Sequence, residues 1–242
     1  MSFFALAAVL FLGQDSVQSL LPTPVDAPAS APAAAAAPSD KRVLWIIPNY
    51  RTSALPNPYK AITPKQKFDI AYHDTFDRGT VVLAALFAGE GQMERSNPSF
   101  GNGVVGYGKY FGTAYADLAI GDFMTEGIFP TILHQDPRYF RRGSGGGLAR
   151  LGYAVGQIFW THTDSGGTQF NYSELGGNAT AVAISTAYYP NGRDVGSAVT
   201  KFGTQIGVDM ASNILKEFWP DIHKKLSRDH QVADASWTVQ HP

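Results

Sequence analysis

Between Val195 and Phe218 the apolar residues return in steps of three and four: Val195, Val199, Phe202, Ile206, Met210, Ile214 and Phe218. That is the period of one face of an α-helix. Gly196, Gly203, Gly207 and Ala211 form a smooth strip beside this stripe, and small residues at such spacing let helix backbones approach closely. Lys201, Gln205, Asp209, Ser212 and Lys216 fall on the remaining side, which the pattern assigns to water. The helix is expected over 195–219, with Pro220 as its terminator.

The same reading predicts four helices upstream. The first starts at Thr63-Pro64, a capping residue followed by proline in the first turn, and runs to about residue 94 with a break near 77–79. The second covers 107–133 and is apolar around most of its circumference, which suits a bundle centre or a lipid contact. The third covers 148–161, and the fourth 173–187, capped by Ser173 and stopped by Pro190. The fold class is therefore all-α: a bundle of about five glycine-rich helices over residues 65–226.

The ends read differently. Residues 2–13 are an uncharged apolar run of export-signal length, too short for an ordinary spanning helix. Residues 1–19 are thus expected to be a signal peptide or a short N-terminal anchor. Residues 20–41 are a Pro/Ala/Ser-rich linker. Residues 42–64 form an extended arm, in which the strand-like 43–48 segment docks on the body and Pro48, Pro56, Pro58 and Pro64 oppose regular structure. Residues 227–242 are left as a C-terminal tail.

Composition narrows the function classes. Charged residues are only 16% of the chain, against about 25% in an average soluble domain. Little material is left for a solvated shell, so a large share of the surface is expected to face lipid or a partner. The net charge of −1 argues against nucleic acid, whose phosphates call for a basic excess. With no cysteine, disulfides, thiolate catalysis and Cys-based metal sites are all excluded.

Three carboxylates interrupt faces expected to be packed: Glu90, Asp122 and Glu126. A buried charge needs a partner or a shifted pKa, so each is a site candidate as well as a candidate ion pair. Counting turns from the loop between the first two helices puts Arg78 level with Asp122, and Glu126 near Lys201 or His73. His134-Gln135-Asp136 and His162-Thr163-Asp164 are two His-x-Asp triplets just beyond helix ends. In an up-down bundle they would lie about 20 Å apart. An acid–base site would draw on Asp122, Glu126, His134 and Asp136. A metal site would draw on His162, Asp164 and His223, with Asp221 and Glu94 at the same end. Arg138, Arg141 and Arg142 stand among Tyr139 and Phe140, a composition suited to an anionic lipid or phosphate; pairing with helix-end carbonyls and nearby acids is the structural alternative.

Several blocks together carry a resemblance: the stretch from Leu133 through Asp136-Pro137 to Arg141, Asp164-Ser165-Gly166-Gly167, Phe170-Asn171-Tyr172-Ser173, Ala187-Tyr188-Tyr189-Pro190, and Glu217 to Ile222. Across roughly residues 42–225 the chain resembles an uncharacterised family of exported proteins encoded in acidobacterial genomes. The resemblance implies an envelope location and brings no activity, cofactor or catalytic residue with it. The expectation is a non-enzymatic protein of the periplasm or outer envelope, packed against membrane, envelope proteins or a second copy of itself. The alternative is a membrane-interface hydrolase or transferase acting on a lipid or phosphate-bearing substrate. No cofactor is expected.

Overall fold

The computed structural model describes residues 42–43, 47–48, 51–53 and 58–240, with side chains for 51–53 and 58–225. The expected signal or anchor segment and the linker lie outside these residues. The described chain is mostly helical, as its periodicity predicts. In chain order it runs β1 (Arg42–Val43), β2 (Ile47–Pro48), β3 (Thr52–Ser53), α1 (Pro64–Thr75), α2 (Arg78–Glu94) and α3 (Gly103–Asp122). A π-helical segment (Phe123–Ile128) and α4 (Phe129–Ile132) continue α3 as one column. Then come β4 (Tyr139–Phe140), α5 (Gly147–Gly156), β5 (Trp160–His162), β6 (Thr168–Phe170), α6 (Tyr172–Tyr188) and α7 (Val195–Gln240).

Local chemistry explains most boundaries. Thr63 and Gln66 form a reciprocal capping box at the head of α1: the Gln66 amide donates to Thr63 Oγ1, and the Thr63 amide to Gln66 Oε1 at 2.8 Å. The break before α2 occurs where expected. Asp77 caps α2 by accepting from the Gly79 amide at 2.7 Å. In the column, Pro130 cannot donate to the Glu126 carbonyl, and the ladder just before it widens to π turns in which the Phe129 amide bonds Met124. This segment carries Glu126 into the interior.

Four expectations are corrected. The third helix ends at Gly156, and Trp160–His162 is a strand paired antiparallel with Thr168–Phe170. Asn171, not Ser173, caps α6; Ser173 is a buried residue of its first turn. Helix α7 passes through Pro220 and continues through most of the supposed tail. Proline there removes the amide that would bond the Lys216 carbonyl, and the neighbouring Glu217 carbonyl accepts from the guanidinium groups of Arg141 (2.9 Å) and Arg150 (2.6 Å). Side-chain cations thus hold α7 within one turn of the proline.

The fourth correction concerns polarity. The side of α7 assigned to water faces inward: Lys216 and Asn213 are buried, and Asp209 bonds Asn178 of α6. Lys201 bonds Ser185 and sits over the Tyr189 ring. The apolar stripe begins outside, with Val195 and Val199 strongly exposed. At Gly203 the small-residue strip makes no close helix contact, for a side chain there would meet open space. The close approach lies elsewhere. A Cβ at Gly177 of α6 would stand 3.0 Å from the backbone of Met124 and Thr125 in the π segment. Gly177→Ala is expected to cost about 1–3 kcal/mol, since neither backbone can yield cheaply. Urea unfolding of the variant beside Gly176→Ala, which would meet only the Phe129 ring, measures this.

The arm is tied to the body. β3 pairs parallel with β4, and the Tyr139 amide donates to the Arg51 carbonyl at 2.9 Å. β1 and β2 form an antiparallel pair, with β2 against α2 and β1 against α7.

Candidate functional site

The pairing of β3 with β4 fixes Arg51, and with it the interior. The Arg51 Nε donates to the Pro137 carbonyl at 2.9 Å. Its two terminal nitrogens reach Glu126 Oε1 at 3.3 Å and Glu174 Oε2 at 3.1 Å. Glu126 comes from the π segment and Glu174 from the first turn of α6, so one guanidinium joins three parts of the fold. Burial opposes its charge, but Glu174 and Glu126 outweigh that and raise its pKa.

Around this centre stand further ionisable groups. Asp74 of α1 stands beside Glu126, and Asp209 of α7 beside Glu174. Asp122, at the end of α3, accepts from Thr75 Oγ1 at 3.1 Å. Lys216 of α7 is the second cation. Burial pushes Asp74 up, and pushes Glu126 and Asp122 well up, with Asp74 adding to both. Asp209 is raised to about 8 by burial and by Glu174. Lys216 is lowered by burial and by Arg51. A polar crevice of about 10 Å³, the room of about one water molecule, is lined by Arg51, Glu174, Ser173 and Asn213 among others.

The sequence candidates distribute themselves as follows. Asp122 and Glu126 do meet in the interior, but the expected Arg78–Asp122 pair is replaced. Arg78 is exposed at the first position of α2, and Asp122 accepts from Thr75 instead, with the Arg51 charge nearby. Glu126 takes Arg51 and not Lys201, while His73 lies at the surface edge-on to Tyr72. The Glu90 pKa is raised by burial and by Glu94.

The two His-x-Asp triplets are not a helix length apart. They pair: the Asp136 amide donates to the His162 carbonyl and the Asp164 amide to the His134 carbonyl, both at 2.8 Å, around a Gln135–Thr163 bridge. The early end of α5 is the cause, because the chain then returns as β5 beside the end of α4. Their side chains diverge. Asp136 is buried, accepting from Tyr59 at 2.5 Å and from Arg138 at 2.6 Å. His134 is an exposed residue in left-handed conformation, 3.8 Å from Asp164. Asp164 receives Lys67, which is 1% exposed and also donates to the Pro130 carbonyl. His162 packs on Tyr59 and Phe140, with its pKa lowered by burial.

The expected grouping of His162 and Asp164 with His223, Asp221 and Glu94 does not form. Asp221 pairs with Arg150 at 2.6 Å and with Arg141 at 3.5 Å, and His223 lies against Trp219. Among the described residues no group of three or more His, Asp or Glu is placed to hold a metal ion. Of the three loop arginines, Arg138 is held by Asp136 and the Lys60 carbonyl, Arg141 by Asp221 and Glu217, and Arg142 is exposed.

A second cluster escaped sequence reasoning altogether. Glu217 is fully buried and receives Tyr139 Oη (2.9 Å), Arg150 Nε (2.8 Å) and the amides of Arg142 (3.0 Å) and Gly143 (2.9 Å). It fastens the β4–α5 loop to α7 and saturates its own oxygens. Arg51 escaped as well, since a lone arginine in an irregular arm has no periodicity to betray it.

Protein-family models, curated proteins and solved structures were all compared with the chain, and none matches it.

Proposed function

We propose that the chain is a non-enzymatic protein of the cell envelope, exported to the periplasm or outer envelope, which beds the apolar outside of its helical bundle in a membrane surface. The observation that carries this reading is inverted polarity. The buried residues of α6 are Ser173, Glu174, Gly177, Asn178, Ala181, Val182 and Ser185, a small and polar set. The exposed residues of neighbouring helices include Phe68 and Tyr72 on α1, Leu86 and Met93 on α2, and Val104 and Val105 on α3. Leu148 on α5, Ile184 on α6 and Val199 on α7 extend the set to further helices. Met93 is 86% exposed and Val104 89%. A single protein partner covers one patch, whereas apolar exposure on this many helices suits a continuous apolar medium. Small residues inside and large apolar ones outside is the packing expected where lipid is the solvent. No described helix is long and apolar enough to cross a membrane, so the contact proposed is interfacial. The resemblance to exported acidobacterial proteins and the apolar run at residues 2–13 support the location.

The enzymatic alternative is weakened by how its residues are engaged. Asp122 serves Thr75, Glu126 serves Arg51, and Asp136 is enclosed by Tyr59 and Arg138. An acid, a base and a cationic clamp opening on one cleft would be needed.

Vesicle flotation tests the proposal. The wild-type chain is expected to rise with phosphatidylcholine vesicles, and Leu86→Glu and Val199→Glu each to lower its partition about tenfold or more, given about 1.5–3 kcal/mol for burying such a side chain. A wild-type protein that is monomeric in buffer and stays below the vesicles would overturn it.

A further inference from the structure

The interior between α1, the π segment, α6 and α7 holds more acid than base. Glu126 and Glu174 each give one oxygen to Arg51. Their other oxygens, Glu126 Oε2 and Glu174 Oε1, are buried and receive no N–H or O–H donor, and neither does Asp74 Oδ1. All three side chains are more than nine-tenths buried. Each of these glutamates has a second carboxyl against it, Asp74 beside Glu126 and Asp209 beside Glu174, close enough for the charge of one to raise the pKa of the other. Two ionised carboxylates have no hydrogen to share and repel, so such a contact requires a proton on one member. That proton is also the donor the orphaned oxygens lack.

We propose that this interior is a proton-binding site, in which the pairs Asp74–Glu126 and Glu174–Asp209 each hold a shared proton on either side of Arg51, and that closure of the bundle is linked to their uptake. The charge count agrees. Asp74, Asp122, Glu126, Glu174 and Asp209 face Arg51 and Lys216, so full ionisation would leave three uncompensated negative charges. One proton in each pair reduces this to a single charge. Asp77, from the α1–α2 turn, adds to the pressure on Asp74, and Asn178 steers Asp209 by donating to its Oδ2 at 3.0 Å. The crevice beside Arg51 and Glu174 has room for about one water next to the second pair.

The consequence for pH has a definite sign. Asp209 has a folded pKa of about 8 against an ordinary value of 3.8, and the partners in the other pair are raised in the same direction. The folded state therefore holds more protons than the unfolded chain in this window. Stability is fully present below the unfolded values and declines as pH rises towards about 8. Lys216, lowered by burial and by Arg51, works the other way in the window below its ordinary value of 10.5.

Two measurements on the whole chain decide the matter. Denaturant unfolding of the unbuffered protein near neutral pH is expected to release at least two protons beyond those of groups with ordinary pKa values, one from each pair, with Asp122 free to add to them. Asp209→Asn and Glu126→Gln, which supply the missing donor as an amide, are each expected to remove one of them and to flatten the decline of Tm from pH 5 to 8. The infrared carbonyl band of protonated carboxyl groups, present in the folded wild type at neutral pH, should weaken in each variant. A folded wild type without that band at neutral pH overturns the proposal, and that readout does not depend on either variant folding. Equal proton release from all three proteins overturns it too.

Discussion

Replacing Glu217 with alanine is expected to cost about 3–5 kcal/mol of unfolding free energy, the range for breaking a buried ion pair by removing one partner. Arg150 is held within hydrogen-bond reach by Glu217 and Asp221, and Asp221 is nearly half exposed, so most of the compensation for the guanidinium comes from Glu217. Truncation also strands the Tyr139 hydroxyl and the amides of Arg142 and Gly143 without their acceptor. Each is a buried or half-buried donor, and an unsatisfied one carries its own penalty of about 1–3 kcal/mol. Solvent entering the emptied site offsets part of that sum, which keeps the expectation within the stated range. Guanidinium unfolding followed by tryptophan fluorescence would read the loss, since Trp219 is buried two residues away. Asp221→Ala is the control: it removes an exposed partner from the same arginine and is expected to cost about 1 kcal/mol or less. Equal losses from the two variants would mean that the cluster stabilises through helix packing and not through the charge.

The helices were legible in the sequence because periodicity and caps are local. Thr63-Pro64 and the break at Asp77 act over a few residues and need no partner from afar. The direction in which each helix faces was not legible by the usual rule. That rule puts apolar residues inside, and in α7 the inward line is Asp209, Asn213 and Lys216. The low charge content pointed to an unusual surface, yet only the partners in space show which side is inside. Pro220 misled for a related reason: the groups that hold the helix beside it, Arg141 and Arg150, lie some 70 to 80 residues upstream. At the site, Asp122 and Glu126 were visible as charges on apolar faces. The cation that pairs with Glu126 was not, because Arg51 reaches it through the parallel pairing of β3 with β4, a contact that no spacing rule predicts.

Arg51→Met tests whether that cation, more than the arm carrying it, organises the interior. The variant keeps side-chain length and leaves β3 free to pair with β4. It removes the only described ion pairs of Glu126 and Glu174. At pH 8 the loss is expected to reach about 3–5 kcal/mol, as for any buried pair stripped of one partner. At pH 5 it should be clearly smaller. Without the guanidinium the folded pKa values of the neighbouring acids rise further, so the folded variant binds more protons than the folded wild type. By linkage its stability falls more steeply as pH increases. Urea unfolding at the two pH values measures the difference. A loss of the same size at both would assign the effect to the Pro137 carbonyl bond and to packing, both indifferent to protonation. Arg51→Lys separates charge from shape. A point charge can neutralise one glutamate but cannot bond Pro137, Glu126 and Glu174 together. It is expected to recover part of the stability at pH 8 and little of the arm's anchoring, seen as faster proteolysis of the arm.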